Sequence, residues 1–441
     1  MTAKINYDKN NYQTRIVDSL LEKQLKVMGA VLVYGPRYCG KTWTSSHLAK
    51  SSISLQGTKE LIENNQYFDS EEITKGQSPR LIDEWQEYPY SWERVITKIN
   101  ETGKPGQFIL TGSFQPVVKK PKHSGSGRIG RLKMYPMSLS EMNISSKQIS
   151  LSKLINENKF EQVKVKKPFD TFELAQIIIK GGWPNNYKSS DELAKIWIKN
   201  YVDSLMTWNI SHFKDNRINY NKYSMFLKSL ARNEGQTCKK TTIAKDIMEY
   251  ENENINIKTI NNYFKTAESL YLIENQTYFK PNFLSSNYVL NSEKIRFIDP
   301  SIPAGILKLS PQLLNETKNT LGVYFESLVI RDLRIYSQLI DVEVLFYRNK
   351  WGQEVDCILK TEQGDYAAIE IKLGSMQEAG AIENLRKFRD SMIKEASLAK
   401  NESEKQYKKV PKWLIVISGT GDKSYVTKDN IYVMPFKCLY E

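Results

Sequence analysis

The sequence predicts an α/β protein of three regions, because apolar strands alternate with helical stretches towards both ends of the chain while the middle has helical periodicity. The 441 residues suffice for about three domains of roughly 150 residues each. We place an α/β domain at 1–145, a helical region at 165–285 and a second α/β domain at 286–441. The expected linkers are 117–127, 156–168 and 280–320. Helical spacing in the middle region is carried by Phe172, Leu174, Ile177 and Ile178, and later by Leu193, Ile196, Trp197, Tyr201 and Leu205.

The composition is that of a globular protein with a basic surplus. Hydrophobic residues make up 40% and charged residues 26%, which argues against disordered, collagen-like and coiled-coil chains. The net charge of +13 favours contact with nucleic acid or an anionic membrane, or else reflects a lysine-rich composition.

Targeting and redox signals point to the cytoplasm. No window approaches the roughly 18 apolar residues that cross a bilayer, and the N-terminus has no apolar stretch of signal-peptide type. The four cysteines form no CxxC pair and are expected to be reduced thiols, and the three histidines are too scattered for a histidine metal centre. We therefore expect a cytoplasmic protein without a membrane partner.

The strongest motif predicts a phosphate-binding loop. The apolar strand AVLVYG at 30–35 runs into GPRYCGKT, which fits G-x-x-x-x-G-K-[ST], and a helical stretch follows. The glycines let backbone N–H groups close around phosphates at a helix N-terminus. We expect Lys41 to neutralise the β- and γ-phosphates and Thr42 to ligate Mg²⁺. The predicted nucleotide-binding residues of this P-loop are Gly35, Pro36, Arg37, Tyr38, Cys39, Gly40, Lys41 and Thr42.

Two further strand ends support the same prediction. PRLIDEWQ places Asp83, which can hold the magnesium, and Glu84, which can polarise the attacking water, after a short apolar strand. QFILTGSF places Thr111 at the end of another strand, where a hydroxyl can sense the γ-phosphate or simply form a turn. Together these elements predict a nucleotide-binding P-loop domain that uses ATP and Mg²⁺.

A basic segment, residues 117–133, follows these strands and contains no acidic residue. One interpretation is a mobile loop whose Arg128 or Arg131 reaches the γ-phosphate of a neighbouring subunit. The alternatives are a contact with DNA phosphates and a solvated loop without a ligand.

Several motifs together resemble a known family. GPRYCGKT, PRLIDEWQ, ILTGS and GRIGRLKMYPMSLSEM are similar to the prokaryotic AAA-type ATPases that carry a C-terminal domain of unknown function, and so are GGWP at 181–184, YFESLVIRDL, EVDCIL and AIEIKLG. The resemblance covers nearly the whole chain and implies ATP binding and a homo-oligomer. This chain departs from the family at Cys39, Lys133 and Tyr135, which removes none of the required groups.

Segment 237–280 of the helical region resembles a winged helix-turn-helix. We expect helices that begin near Thr241 and near Ile257, and a strand or wing at TYFK, 277–280. In such a fold the second helix enters the major groove of DNA. Its exposed face would present Lys258, Asn261, Asn262 and Lys265. A helical module that binds proteins or only packs is the alternative.

The C-terminal region predicts a cluster of acidic groups and a lysine. Strand alternation puts Glu370 and Lys372 on one face of AAIEIKLG, and Asp356 in the preceding strand EVDCIL is able to join them. Glu326 lies in an amphipathic helix upstream. Asp356 and Glu370, with Glu326 assisting, would supply magnesium ligands, while Lys372 would stabilise charge on a phosphate. The order helix, strand, strand, strand, helix, strand looks like the PD-(D/E)xK nuclease fold.

The sequence thus predicts an N-terminal AAA-type P-loop domain, a helical and winged-helix-like middle and a nuclease-like C-terminal α/β domain. The corresponding function is ATP hydrolysis coupled to action on nucleic acid, with DNA favoured over RNA. The alternatives are an ATP-gated regulatory protein whose nuclease-like domain is catalytically silent, and a switch that binds a partner protein and ignores nucleic acid.

Overall fold

The computed structural model describes residues 11–58, 69–114, 124–211, 218–281, 293–398 and 409–441 of the chain, and the side chains of 207–211 lie outside this description. Residues 117–123 of the basic segment therefore fall outside the described residues. No helix in these ranges is long and apolar enough to cross a membrane.

A parallel sheet forms the core of the N-terminal region. Its strands run in the order β2-β3-β4-β1-β5, and every described pairing among them is parallel. The central strands β1 and β4 are buried along nearly their whole length because helices cover both faces, as parallel sheets require. The strands are β1 (Ala30–Tyr34), β2 (Ser51–Ser54), β3 (Arg80–Asp83), β4 (Phe108–Gly112) and β5 (Ile129–Lys133), and the helices are Ile16–Leu25, Lys41–Leu48 and Tyr90–Thr102. The predicted α/β architecture is confirmed here.

The middle of the chain is helical, as the periodicity predicts. Ile198, Tyr201, Val202 and Leu205 of the Asp191–Ser211 helix are buried. Leu193 and Ile196, which belong to the same helical pattern, are instead 58% and 51% exposed. The helices of this part are Leu151–Glu157, Thr171–Lys180, Asp191–Ser211, Tyr220–Arg232, Lys240–Glu251 and Ile257–Ser269.

Two expectations for this region need correction. The predicted linker 280–320 contains two short helices, Ser301–Ile306 and Pro311–Glu316, which form because Ile302, Ala304 and Leu314 are buried. The TYFK segment at 277–280 forms only an isolated parallel bridge between Tyr278 and Phe346, since its neighbour in space is the edge strand of the C-terminal sheet. The two helices expected to start near Thr241 and Ile257 begin at Lys240 and Ile257.

The C-terminal region is a mixed sheet with helices on both faces. Strands β7, β8 and β9 are antiparallel neighbours, β9, β10 and β12 are parallel, and the strand order is β11-β12-β10-β9-β8-β7. The predicted element order, from the long helix to the strand after the second helix, is present. The elements are helix Lys318–Ile340, β7 (Val342–Arg348), β8 (Glu354–Thr361), β9 (Tyr366–Lys372), helix Glu378–Ser397, β10 (Trp413–Ser418), β11 (Tyr425–Val426) and β12 (Ile431–Pro435).

The three regions share one hydrophobic core, which runs from Val33 in β1 through Trp183 to Phe325 in the long helix. The end of the chain, β13 (Leu439–Tyr440), pairs in parallel with β6 (Ile149–Ser150) just after the N-terminal region. The segment that follows the C-terminal sheet therefore pairs with residues that follow the N-terminal region.

Candidate functional site

The P-loop lies between the carboxyl end of β1 and the start of the Lys41–Leu48 helix, as a phosphate cradle requires. Gly35 has a φ of 157°, and a Cβ atom there would lie 2.1 Å from the carbonyl oxygen of Met134. Gly40 has a φ of 106°, in the left-handed region that favours glycine. The path of the loop thus depends on both glycines, and the free N–H groups of the helix face it.

Hydrogen bonds join the P-loop to two neighbouring strand ends. Thr42 Oγ1 donates to Asp83 Oδ1 at 2.8 Å, and Thr111 Oγ1 donates to the same oxygen at 2.7 Å. Asp83 ends β3 and Thr111 lies in β4, which pairs with β3 in parallel. Lys41 Nζ donates to the carbonyl oxygen of Pro36 at 2.7 Å. Burial raises the pKa of Asp83, while its two hydroxyl partners oppose that rise.

Glu84 is held at the same edge of the sheet. Its backbone N–H donates to Thr111 Oγ1 at 3.0 Å. Its carboxylate accepts hydrogen bonds from Ser113 Oγ at 2.9 Å and from the Gln86 side-chain amide. The structure therefore brings Lys41, Thr42, Asp83, Glu84 and Thr111 together as the sequence predicts, although which of them act in a reaction stays a prediction.

The outer side of the P-loop is covered by the helical region. The Tyr201 hydroxyl donates to the carbonyl oxygen of Arg37 at 3.4 Å. The Tyr38 ring makes edge contacts with Trp197 and Tyr201. Cys39 is fully buried, with its Sγ 3.7 Å from the carbonyl oxygen of Met134. A helix of the middle region therefore shapes the loop from outside.

Arg128 lies at the end of β1 far from the P-loop, whereas Arg131 pairs with Leu32 in the middle of β1. Residues 129–133, which we expected in a mobile basic loop, form the edge strand β5 because they pair in parallel with β1. Ile129 pairs with Ala30 at the start of β1, whereas the P-loop follows the end of β1. Arg128 Nε donates to Asn100 Oδ1 at 2.5 Å. If Arg128 contacts a phosphate at a P-loop, that phosphate belongs to another subunit.

A second polar cluster lies on the C-terminal sheet. Lys372 Nζ is 2.6 Å from Glu370 Oε2 and 3.1 Å from Asp356 Oδ2. The same Asp356 oxygen accepts from the backbone N–H of Ile371 at 2.8 Å, and Glu370 Oε1 accepts from Asn384 at 2.7 Å. Burial raises the pKa of both carboxyl groups. Strand alternation therefore places Asp356, Glu370 and Lys372 together as predicted.

Glu326 belongs to a neighbouring set of charges. Its carboxylate pairs with Arg296 and, at 3.0 Å, with Lys294 Nζ, which also lies 2.6 Å from Glu354. Although burial opposes it, these two cations lower the pKa of Glu326 to about 2. Glu326 is near enough to Asp356 for its charge to raise the Asp356 pKa.

The two clusters differ in how well they suit a magnesium ion. The Thr42 hydroxyl and the Asp83 carboxylate offer hard oxygen donors beside a phosphate cradle, which is the donor set that Mg²⁺ prefers. Asp356 and Glu370 also offer oxygens, but both already pair with Lys372. Within the described ranges, no three His, Cys, Asp or Glu side chains form a group suited to a metal ion.

One comparison with known families covers the segment that contains the first of these sites. Residues 28–143 match the model of the AAA domain. Residues 28–143 form an AAA-type P-loop ATPase domain. This AAA domain contains the whole P-loop with Asp83, Glu84 and Thr111, so the predicted ATPase class is confirmed. Residues 171–313 match a domain of unknown function (DUF8612) and residues 321–439 match another (DUF4143), so the winged-helix and nuclease-like identities stay predictions.

Comparisons with whole proteins add little to this assignment. The chain is similar to the Walker-type ATPase PABY2304 of Pyrococcus abyssi at 12% identity, over 68% of this chain and 98% of that one, with a TM-score of 0.42. It is similar to AMPPCP-bound DnaA from Aquifex aeolicus at 14% identity, over 57% and 86% of the two chains, with a TM-score of 0.22. No curated protein matches the chain. The AAA domain is therefore assigned from the family model.

Some residues of both sites were missed from the sequence. Arg15 contacts the P-loop of the AAA domain, and Lys294 and Arg296 contact Glu326. A sequence signal existed only for Arg15, which precedes Asp18 at the spacing of a helix cap. Lys294 and Arg296 reach Glu326 from 32 and 30 residues away, and no local pattern predicts that contact.

Proposed function

We propose that the AAA domain binds MgATP and hydrolyses it. The observation that carries this proposal is the pair of hydrogen bonds that Thr42 and Thr111 donate to Asp83 directly beside the P-loop. These bonds bring together Asp83 as a metal ligand, Thr111 as a phosphate sensor and the P-loop. All three lie at the edge of the sheet where ligands bind in open α/β folds.

Each residue then has a distinct part. Backbone N–H groups of the P-loop bind the β-phosphate, and Lys41 exchanges its bond with the Pro36 carbonyl for the β- and γ-phosphates. Thr42 and Asp83 hold Mg²⁺, which when bound neutralises charge on the phosphates. Glu84 orients the water that attacks the γ-phosphorus as the bond to ADP breaks. Thr111 ties Asp83 to the backbone of Glu84, so the metal ligand and the base move together.

Calorimetric titration of the full chain with MgATP tests this function. Wild type should bind, and Lys41→Ala should lose at least tenfold in affinity because a phosphate cation is removed. Lys98→Ala is the matched control, since Lys98 is an exposed lysine of the same domain that pairs with Glu101 on the surface. No binding by wild type, or equal losses in the two variants, would overturn the proposal.

We further propose that the C-terminal cluster acts on nucleic acid, DNA before RNA, as a magnesium-dependent phosphodiesterase. The convergence of Asp356, Glu370 and Lys372 on one buried sheet face supports it. Asp356 and Glu370 would hold Mg²⁺, which when bound activates water, and Lys372 would stabilise charge on the phosphate. Lys258, Asn262 and Lys265 are exposed on the Ile257–Ser269 helix and are available to a phosphate backbone.

A second candidate function is an ATP-gated binding protein whose C-terminal cluster is silent. The observation in its favour is that Lys372 already pairs with both carboxylates of the cluster, while Lys294 pairs with the neighbouring Glu326 and Glu354. Such pairing supports a folded core without requiring a metal.

Incubation with Mg²⁺ and single- and double-stranded DNA and RNA, with and without ATP, separates the two functions. Cleavage that is lost in Glu370→Ala and Lys372→Ala, but kept in the exposed control Glu343→Ala and, with altered ATP dependence, in Lys41→Ala, supports the nuclease. Absence of cleavage together with ATP-dependent retention of DNA supports the binding protein. Failure to bind any nucleic acid at low salt would contradict both and favour a switch for a protein partner.

A further inference from the structure

Arg15 lies just before the first helix, and each of its three guanidinium nitrogens donates a hydrogen bond close to the P-loop. Its guanidinium donates through one terminal nitrogen to the carbonyl oxygen of Cys39 at 2.8 Å, and through the other to the carbonyl oxygen of Tyr135 at 2.9 Å. Its Nε donates to Glu141 Oε1 at 2.9 Å. The side chain is buried, so three acceptors, one in the P-loop and two in residues 134–142, hold it in one position.

The contact with Cys39 has a consequence for the next N–H group. A trans peptide directs its C=O and its N–H in opposite directions. Because Arg15 draws the Cys39 carbonyl outwards from the P-loop, the N–H of Gly40 in the same peptide points to the inside of the loop. Gly40 has a φ of 106°, and the absence of a side chain at Gly40 lets the backbone adopt this conformation without strain.

Arg15 is itself anchored by a buried partner. Glu141 is 6% exposed and accepts hydrogen bonds from Arg15, from the backbone N–H of Ile16 and from the backbone N–H of Ser138. A guanidinium without this carboxylate would be an unpaired buried charge. A Cβ atom at Gly40 would lie 3.3 Å from a terminal nitrogen of Arg15, so the guanidinium packs closely against this glycine.

We infer that Arg15, held by Glu141, is a positioning residue that orients the Gly40 N–H of the P-loop towards the β-phosphate of a nucleotide. The inference rests on the proposed ATP binding. Arg15 would support that binding although it does not touch the nucleotide. Both ATP and ADP contain the β-phosphate, so loss of Arg15 weakens both by the same factor.

Nucleotide titrations of full-length variants test this role. Arg15→Met should weaken ATP and ADP binding at least tenfold each, and Arg15→Lys should fall between Arg15→Met and wild type because an ammonium reaches fewer of the acceptors. Millimolar guanidinium should restore part of the affinity of an Arg15→Ala variant, whereas methylammonium should not. Arg80→Met is the matched control, since Arg80 is a buried arginine of the same domain that donates to the Ile73 and Glu72 carbonyls.

The outcomes separate cleanly. A folded Arg15→Met protein that binds ATP within twofold of wild type would overturn the inference while the proposed function stands. An equal loss in Arg80→Met would also overturn it, because the effect would then be general destabilisation. If Arg15→Met does not fold, Glu141→Gln, which removes the carboxylate that holds Arg15 against the Cys39 carbonyl, should weaken both nucleotides about equally, and unchanged affinity there would overturn the inference. Failure of wild type to bind ATP would overturn the proposed function itself.

Discussion

Glu84 reaches its place through a backbone conformation that residues with a side chain seldom adopt. Its φ of 54° lies in the left-handed region, which costs roughly 1–2 kcal/mol for an L-residue. The hydrogen bond from its N–H to Thr111 offsets part of that cost. Such conformations concentrate at functional sites, so the strain agrees with a role for Glu84 beyond stability.

We expect Glu84→Gln to lower the rate of ATP hydrolysis by about 100-fold or more, because a carboxylate that polarises water contributes on that order. ATP affinity should stay within about twofold, since Lys41 and Thr42 are unchanged. Phosphate release and calorimetric titration measure the two effects. Glu101→Gln, an exposed change in the same domain, is the control. Loss of affinity with an unchanged rate would contradict the assignment.

Glu234 gives the stability of the protein a pH dependence. It is fully buried, and burial raises its pKa to about 7 although Arg296 and Ser327 oppose the rise. The folded state therefore binds this proton more tightly than the unfolded state does. The stability that the protonated Glu234 carboxyl contributes is fully present below about pH 4.5 and is lost as the pH rises through about 7.

Replacing Glu234 by Gln should remove this dependence. When the pH is raised from 5 to 8, the wild type should lose about 2 kcal/mol more of its free energy of unfolding than the variant does. This value follows from about 1.4 kcal/mol for each unit by which folding shifts a pKa. Urea unfolding across that range measures the difference. Glu343→Gln on an exposed strand position should run parallel to wild type. A constant difference between Glu234→Gln and wild type would show that Glu234 does not titrate there.

At the scale of elements, the sequence predicted strands better than it predicted which face of a helix is buried. Strand β9 spans Tyr366–Lys372, and its Glu370 and Lys372 lie on one face as the alternation of AAIEIKLG predicts, because a period of two leaves little choice of face. The Asp191–Ser211 helix is apolar on more than one side, so periodicity alone does not decide which side packs. Contacts with the Ser301–Ile306 helix, inside an expected linker, decided it.

This correction gives a matched pair of substitutions two residues apart. Ile196→Lys should change the free energy of unfolding by less than about 0.5 kcal/mol, because Ile196 is exposed. Ile198→Ala should cost about 2–4 kcal/mol, because Ile198 is buried in the shared core. Urea unfolding measures both. A larger loss in Ile196→Lys than in Ile198→Ala would mean that the opposite face of the helix is packed.

At the scale of the whole molecule, one buried network joins the three regions. The Gly182 N–H donates to Asp299 Oδ2 at 3.0 Å, and Arg331 of the long helix donates to the same oxygen at 3.0 Å. Arg331 also pairs with Asp332, which accepts the N–H of Leu139 at 2.8 Å. The GGWP and YFESLVIRDL motifs were recognised from the sequence only by resemblance. Their meeting was not predictable, because it joins residues more than a hundred positions apart.

The shared core and this network lead us to expect that the chain unfolds as one cooperative unit. Arg331→Met leaves Asp299 and Asp332 as buried carboxylates without their cation, which should cost about 3–5 kcal/mol and loosen the junction. Hydrogen exchange followed by mass spectrometry should show faster exchange in the Lys318–Ile340 helix and in residues 134–142 together, with β4 at the centre of the N-terminal sheet much less affected. Arg386→Met, which breaks ion pairs on the surface of the Glu378–Ser397 helix, should leave the exchange rates of both segments unchanged. Faster exchange in the long helix alone would mean that the C-terminal region is an independent unit and that nucleotide state has no direct structural route from the AAA domain to the carboxylate cluster.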